Sequence, residues 1–253
     1  MNKVVIYTCI VGLYDQLLQP LAIDPRFDYV CFTDNPQYKD EGIWQLRPIP
    51  FKHTNKSRIS RFPKILPHKV LPEYEYSVYI DANLQIADKE FYDIIIQKID
   101  DGCIIAQVPH VVPPVDCIYD ELANAYKYNK ATFLQVFNQS LYLKRYGFPH
   151  HFGLFENNLI FRKHNDDIVV GISNQWWKEY MNKAPRDQFS LMYVYWKNNF
   201  MPDLLFDKNT CTRNCLYIKY NSHLHEQKQF STTKIISNKW HHIMFHIVKF
   251  LLK

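Results

Sequence analysis

Three clusters of polar side chains directly follow apolar, β-branched runs in the first third of the chain. They span residues 8–15, 33–35 and 81–83. In an open α/β sheet, ligands bind at the carboxyl ends of the strands, so polar side chains at these positions are candidates for a binding site. The alternative for any single cluster is that its Asp and Asn side chains cap helices or form turns. The presence of three such clusters favours a site.

The third cluster, Asp81-Ala82-Asn83, has the chemistry of a divalent-cation site. On an extended backbone these two oxygen-bearing side chains point to the same side, where both can touch one hard cation and the phosphates that it bridges. Such an ion neutralises a diphosphate leaving group, as transfer from a nucleotide-activated donor requires. One carboxylate alone binds such an ion weakly.

A further polar run, Glu156-Asn157-Asn158, precedes a short apolar stretch that predicts a strand. Its carboxylate and amides have the hydrogen-bonding capacity to fix the hydroxyl groups of a sugar. The alternative is a plain turn before the strand.

Two thiols and two imidazoles near the end of the chain form a competing metal hypothesis. Cys211, Cys215, His223 and His225 lie within fifteen residues and have the ligand types of a zinc site. The spacing departs from the common C-x-x-C pairs, and Cys215 begins an apolar run in which a buried thiol is ordinary. Zinc is therefore the less favoured hypothesis.

The elements that must position these residues alternate between strands and helices. Apolar runs predict strands at residues 4–11, 27–32, 76–80, 103–108, 158–161 and 215–220. Helical spacing predicts helices at residues 56–71, 91–99, 116–128, 132–146, 172–181 and 188–196. This alternation predicts an α/β fold with a mostly parallel sheet flanked by helices.

The composition describes one folded domain. Of 253 residues, 47% are hydrophobic and 22% charged, and no Gly/Ser-rich or Pro-rich linker divides them. The net charge of +5 is spread along the chain, which argues against a generic nucleic-acid-binding surface. The six cysteines lack framework spacing, and the N-terminus runs into a strand without the features of a signal peptide. We therefore expect a cytoplasmic protein with reduced thiols.

The C-terminal tail, residues 231–253, is basic and amphipathic. No apolar run of the chain reaches the ~20 residues needed to cross a bilayer, so any membrane contact is expected to be peripheral. In the tail, apolar residues recur at helical spacing: Trp240, Ile243, Met244, Ile247, Val248 and Leu251. We expect a domain over residues 1–230 and a tail helix on an anionic membrane surface. The alternative is that this helix packs on the domain or forms a dimer contact.

Several short motifs occur in an order that resembles one family. They are Tyr7-Thr8-Cys9, Gly12-Leu13-Tyr14-Asp15, Cys31-Phe32-Thr33-Asp34, Lys64-Ile65-Leu66-Pro67-His68, Tyr79-Ile80-Asp81-Ala82-Asn83 and Arg186-Asp187-Gln188. Over about residues 4–196 the chain resembles the glycosyltransferase-like family once listed as domain of unknown function 616, with a GT-A fold. The resemblance implies a Rossmann-like, nucleotide-sugar-binding domain.

By this resemblance, the motif that contains Asp81 would hold Mn²⁺ or Mg²⁺ and the donor diphosphate. Asn83 stands where many GT-A enzymes carry a second Asp, which implies lower metal affinity or a basic side chain in the role of the metal. A late histidine would complete the coordination, and His225 is preferred to His223. Lys64 and Arg58 are candidates to neutralise phosphate, with a solvated helix face as the alternative.

The same resemblance implies a nucleoside pocket formed by Thr8, Tyr14 and Asp15, with Asp34 near the base or ribose. An aromatic ring can stack on a base, and a carboxylate can accept a hydrogen bond from a ribose hydroxyl. For Tyr14, a packed core aromatic is an equal alternative.

Catalytic roles are implied for Asp187 and Glu156. In the resemblance, an acidic or amide group at the position of Asp187 either takes the proton of the acceptor hydroxyl or faces the anomeric carbon. Arg186, Gln188 and Asn157 would contact the nucleotide sugar. The alternative for Asp187 is a helix N-cap with no chemical role.

The function that follows is a glycosyltransferase of the hexosyltransferase type. It would move a sugar from a nucleoside-diphosphate sugar to a hydroxyl of a glycan or lipid-linked glycan, in bacterial surface polysaccharide synthesis at the inner face of the cell membrane. The alternative is a non-catalytic sugar-nucleotide-binding or scaffold domain, which Asn83 motivates. A metal-dependent phosphoesterase would need further carboxylates or histidines beside Asp81.

Overall fold

The computed structural model describes residues 4–12, 14–35, 42–111, 116–183 and 186–223. The strands in these ranges are β1 (Val4–Ile10), β2 (Phe27–Thr33), β3 (Gln45–Pro48), β4 (Tyr76–Ile80), β5 (Leu84–Ile86), β6 (Ile105–Pro109), β7 (Phe155–Arg162), β8 (Asp203–Leu204) and β9 (Ile218–Tyr220). The helices are α1 (Lys56–Ile65), α2 (Pro67–Val70), α3 (Glu90–Asp100), α4 (Ile118–Lys127), α5 (Phe133–Arg145), α6 (Asp167–Asn182) and α7 (Gln188–Lys197).

A central sheet in the order β3-β2-β1-β4-β7-β6-β8 organises the described chain. Strand β7 is antiparallel to both of its neighbours, whereas the other adjacent pairs are parallel. A small antiparallel sheet pairs β5 with β9. Because β1, β2 and β4 run in the same direction, their carboxyl ends meet at one edge of the sheet, where an α/β fold places its ligands.

The central sheet is buried on both faces. Along β1, Tyr7 and Cys9 pack into one apolar cluster, and Ile6 and Ile10 pack into the other. Helices α1, α2 and α4 to α7 contribute to the first cluster, and α3 with the small sheet contributes to the second. Burial on both faces explains why the run in β1 is apolar at consecutive positions rather than alternating.

The predicted α/β class and mostly parallel sheet with flanking helices are confirmed, with local differences. Strand β7 begins at Phe155, three residues before the predicted start, so Glu156 and Asn157 lie in a strand and the alternative of a plain turn there is wrong. Polar side chains occur in this strand because Gln107 and Thr212 hydrogen-bond to them. The helix predicted over residues 56–71 divides at Leu66 because Pro67 follows.

The predicted tail helix, residues 231–253, lies outside the described residues. In the part of the chain that the structure describes, no helix is both long enough and apolar enough to span a bilayer.

Candidate active site

Two adjoining cavities open at the carboxyl ends of β1 and β4. Their volumes are about 460 and 630 Å³, and they share Tyr14, Arg61, Asp81 and His223 in their walls. The smaller is the first cavity, and the larger is the second. Both volumes lie in the range of small-molecule sites.

A buried lysine lies at the centre of the site. Lys64 is 2% exposed, and its Nζ lies 2.8 Å from Oδ2 of Asp187 and 3.4 Å from Oδ1 of Asp81. Nε of Arg61 lies 3.5 Å from the other oxygen of Asp187. We call Arg61, Lys64, Asp81 and Asp187 the charged quartet. It brings together residues from α1, from the end of β4 and from the start of α7.

The electrostatics of the quartet keep Asp187 ionised. Burial by itself would raise the pKa of this carboxyl, but the charges of Lys64 and Arg61 outweigh it and hold the pKa well below its usual range. The Tyr79 hydroxyl donates a hydrogen bond of 2.7 Å to Oδ1 of Asp81. Burial, together with the charge of Asp81, raises the pKa of Tyr79, so this hydroxyl remains a donor.

The backbone around Lys64 is held from below by a buried arginine. Arg162 on β7 donates 2.6 Å hydrogen bonds to the Lys64 carbonyl and to the Tyr7 hydroxyl. A guanidinium at the last carbonyls of α1 satisfies acceptors that a helix end leaves unpaired, and it complements the helix dipole. At the other end of α1, the Asn55 side chain accepts hydrogen bonds from the Ser57 and Arg58 amides. Hydrogen bonds therefore cap both ends of α1, the helix that carries Lys64.

Asp187 stands at the N-cap of α7, but its side chain makes no capping hydrogen bond. Its oxygens instead face Lys64 and Arg61. The interpretation of Asp187 as only a helix cap is therefore wrong.

The two described residues of the predicted metal site lie in a turn rather than on an extended strand. The Leu84 amide donates to the Asp81 carbonyl, which closes the turn, and the Asn83 amide side chain donates to the Asn221 carbonyl at 2.9 Å. Asp81 lines both cavities and Asn83 lines the second. His225 lies outside the described residues.

A hard cation would fit beside Asp81 only if a ligand supplied further oxygens. Among the residues that the structure describes, no three His, Cys, Asp or Glu side chains form a group that could hold a metal ion. Asp81 and Asn83 have the oxygen chemistry that such a cation prefers, and phosphate oxygens from a nucleotide in the first cavity could complete its shell. The cation itself stays a prediction.

Three side chains from two distant parts of the sequence meet at the wall between the cavities. Nδ1 of His223 lies 2.7 Å from the carboxylate of Asp15, and the Tyr14 ring lies 5.4 Å from the His223 ring. Asp15 is buried, whereas Tyr14 is 49% exposed. The exposure of Tyr14 contradicts the interpretation of this ring as a packed core aromatic.

Glu156 lies in the wall of the second cavity, but its carboxylate is engaged. It accepts hydrogen bonds from the amide and hydroxyl of Thr212, and it pairs with Arg213. These contacts fasten the segment before β9 to β7. They favour a structural role for Glu156, and its catalytic role stays a prediction. The neighbouring Asn157 accepts from Gln107 at 3.2 Å and also lines the second cavity.

The remaining predicted residues divide between the cavities and other places. Arg186 and Gln188 line the second cavity. Thr8 is buried in β1, and Asp34 accepts a 2.6 Å hydrogen bond from the Gly12 amide, which joins the loops after β1 and β2. Arg58 donates to the Met181 carbonyl on α6. The structure therefore does not place Thr8, Asp34 or Arg58 in the cavity walls.

Arg61 and Lys56 are cavity residues that the sequence analysis missed. Both line the first cavity, together with Ser57 and Ser60 of the same helix. The spacing of residues 57, 60, 61 and 64 puts one polar stripe on a single helix face. That stripe was the available signal, and it distinguishes Arg61 and Lys64 from Arg58.

Comparisons with known proteins identify a family. The family described as TOD1/MUCI70, glycosyltransferase-like domain, matches residues 33–223, more than half of the chain. Mouse xyloside xylosyltransferase 1 in its apo form aligns with a TM-score of 0.43 and 10% identity, over 80% of this chain and 84% of that chain. The apo structure of the WbbM bifunctional glycosyltransferase aligns with a TM-score of 0.42 and 11% identity, over 81% of this chain and 38% of that chain. No curated protein sequence matches the chain.

Proposed function

Because the chain belongs to the TOD1/MUCI70 family of glycosyltransferase-like domains, we propose that it transfers a sugar from a nucleoside-diphosphate sugar to an acceptor hydroxyl. The acceptor oxygen bonds to the anomeric carbon, the bond from that carbon to the diphosphate oxygen breaks, and the nucleoside diphosphate leaves with the electron pair while the hydroxyl proton is released. The observation that carries the proposal is the charged quartet between two adjoining cavities.

The first cavity suits the nucleotide part of the donor. Cys9, Ile10 and Val11 provide an apolar wall at the end of β1, and Tyr14 adds an aromatic ring. Lys56 from the first turn of α1 provides a cation in the same cavity. An apolar wall with a few charged groups is the usual composition of a cofactor or nucleotide site.

The charge of the quartet supports a divalent cation as part of the donor site. Its two cations and two carboxylates sum to a formal charge of zero, so they leave the charge of a bound diphosphate largely uncompensated. We propose that Asp81 and Asn83, with His225, hold Mn²⁺ or Mg²⁺ beside the diphosphate. When bound, the ion neutralises the leaving group. The two carboxylates of the quartet hold Lys64 and Arg61 in place in the cavity walls.

Asp187 is proposed to face the anomeric carbon rather than to accept a proton. A carboxyl with a pKa far below the working pH is a weak general base. An ionised carboxylate in a partly dry site can instead stabilise the positive charge that develops on the sugar ring as the leaving group departs. Of the two roles expected for Asp187, the low pKa favours this one.

The finer assignments rest on the resemblance of the sequence motifs. They are the GT-A fold, transfer of a hexose, surface polysaccharide synthesis in bacteria, and a lipid-linked acceptor reached from the cytoplasmic face of the membrane through residues 231–253. All four remain proposals. The non-catalytic sugar-nucleotide-binding alternative predicts donor binding without turnover.

The proposed function is tested by thermal shift and calorimetry with nucleoside diphosphates and their sugars, each with manganese and with chelator. A nucleotide at 100 times its Kd should add about 2.7 kcal/mol of stability. We expect nucleotide affinity to rise when manganese is added, and we expect Asp81→Ala to abolish this rise. Asp93→Ala, which removes an exposed carboxylate on α3, is the matched control. Absence of binding by every nucleotide would refute the proposal, and binding without sugar release or transfer would favour the non-catalytic alternative.

A further inference from the structure

The second cavity extends beyond the residues that the donor proposal uses. Its outer part is formed by α4 with the residues after it, by β7 and by the segment that ends in β9. It adjoins the first cavity through their shared wall, and Asp187 lies in its lining. A second substrate in this part would lie beside the proposed point of transfer.

Two exposed tyrosines lie in this outer part of the second cavity. Tyr128 is 58% exposed and Tyr220 is 38% exposed. The Arg213 guanidinium lies 4.9 Å from the centre of the Tyr220 ring and fixes one side of it. Aromatic rings with a polar edge suit a ligand that has an apolar C–H face and hydroxyl groups around its rim, as a sugar ring does.

Two buried polar atoms in the lining lack partners in the described chain. Asn157 is 6% exposed and its Oδ1 accepts from Gln107, but its Nδ2 has no hydrogen-bond partner among the described residues. Nε of Arg186 is likewise buried without a hydrogen bond, although another nitrogen of that side chain lies 3.6 Å from Glu121. Buried donors are nearly always satisfied, so each unpaired one requires an explanation. Solvent does not reach either atom in this structure, so a hydroxyl-rich ligand in the cavity supplies the missing acceptors when these two side chains turn towards it.

We propose that the second cavity binds the acceptor as a saccharide. Tyr128 and Tyr220 pack against the faces of its sugar rings, and Nδ2 of Asn157 donates a hydrogen bond to one of its hydroxyls. This inference rests on the proposed function, because the location beside Asp187 has meaning for an acceptor only if a sugar is transferred there.

The test uses the full-length protein and a panel of methyl glycosides as probes, with binding measured by saturation-transfer NMR and titration. We expect at least one glycoside to bind wild type, and Tyr128→Ala and Tyr220→Ala each to weaken that binding by about tenfold while nucleotide affinity is unchanged. Tyr146→Ala is the matched control, because Tyr146 is 54% exposed on the turn after α5 and lies outside both cavity linings. Two independent tyrosine variants keep the test valid if one of them fails to fold.

The outcomes separate this inference from the proposed function. If nucleotides bind but no glycoside does, or if both tyrosine variants bind glycosides as wild type does, the assignment of the second cavity is wrong and the donor site stands. If a glycoside binds, the tyrosine variants weaken it and no nucleotide sugar binds, the cavity is a saccharide site but the proposed transfer is wrong.

Discussion

Asp187→Asn tests the charged quartet directly, because it removes one charge and changes little else. The substitution preserves the shape of the side chain, and Asn is as good a helix N-cap as Asp. It leaves Lys64, which is buried, with only Asp81 at 3.4 Å, and Arg61 without its nearest carboxylate. The expected effect therefore comes from the lost ion pair and not from packing or capping.

The magnitude follows from the burial of the pair. Removal of one partner from a buried ion pair costs about 3–5 kcal/mol, because the other charge is left uncompensated. Asp81 still compensates part of the charge of Lys64, so we expect the lower end, about 3 kcal/mol. For a domain of this size, that corresponds to a fall in Tm of roughly 6–12 °C.

The measurement is urea unfolding followed by circular dichroism, with Asp166→Asn as the matched control. Asp166 is also an N-cap aspartate, but its side chain accepts hydrogen bonds from the Ile168 and Val169 amides. Asn can make the same bonds, so this control should lose less than about 0.5 kcal/mol. If Asp187→Asn costs no more than the control, the pairing of Asp187 with Lys64 and Arg61 does not matter in solution and the argument fails.

The stability difference between wild type and Asp187→Asn should change with pH in a defined direction. The folded-state pKa of Asp187 is lowered, so its stabilising contribution is complete above the unfolded pKa of about 3.9 and is lost as the pH falls below it. The difference in unfolding free energy between wild type and Asp187→Asn should therefore be constant from pH 8 to pH 5 and shrink only below about pH 4. A difference that declines between pH 7 and pH 6 would contradict this assignment.

Two further predictions concern other buried groups, His164 and Arg162. Burial lowers the pKa of His164 to about 4, so as the pH falls the unfolded chain binds a proton at this residue before the folded chain does. The free energy of unfolding should therefore fall by about 2 kcal/mol between pH 8 and pH 5. His164→Gln should reduce this dependence on pH in urea titrations, and an unchanged dependence would assign it to another group. Arg162→Met leaves the Lys64 carbonyl without its charged donor and should lower the free energy of unfolding by about 1.5–3 kcal/mol. Arg162→Lys should recover part of that loss in the same assay. Equal losses in both variants would show that Arg162 contributes packing and not the charged hydrogen bond.

The sequence by itself determined the α/β class and the position of the candidate site along the chain. A run such as that in β1 is apolar at consecutive positions because both faces of the strand are buried, and this property is local enough to be read from the residues. The clusters that contain Asp15 and Asp81 were identifiable for the same reason, since polar side chains directly after a buried strand lie at the edge where ligands bind.

Only the tertiary structure decided which charges meet. Asp187 is far from Lys64 and Asp81 in the chain, and the contacts among the three depend on how α1 and α7 pack on the sheet. The sequence analysis selected Arg58 and missed Arg61, and the packing of α1 reversed that choice, because Arg61 and Lys64 line the cavities whereas Arg58 donates to the Met181 carbonyl on α6. The sequence also could not show that the contacts of Glu156 favour a structural role, since its partners Thr212 and Arg213 come from a distant segment. A sequence pattern records the period of one element, whereas a site depends on the packing of several, and that packing is the physical reason for the difference.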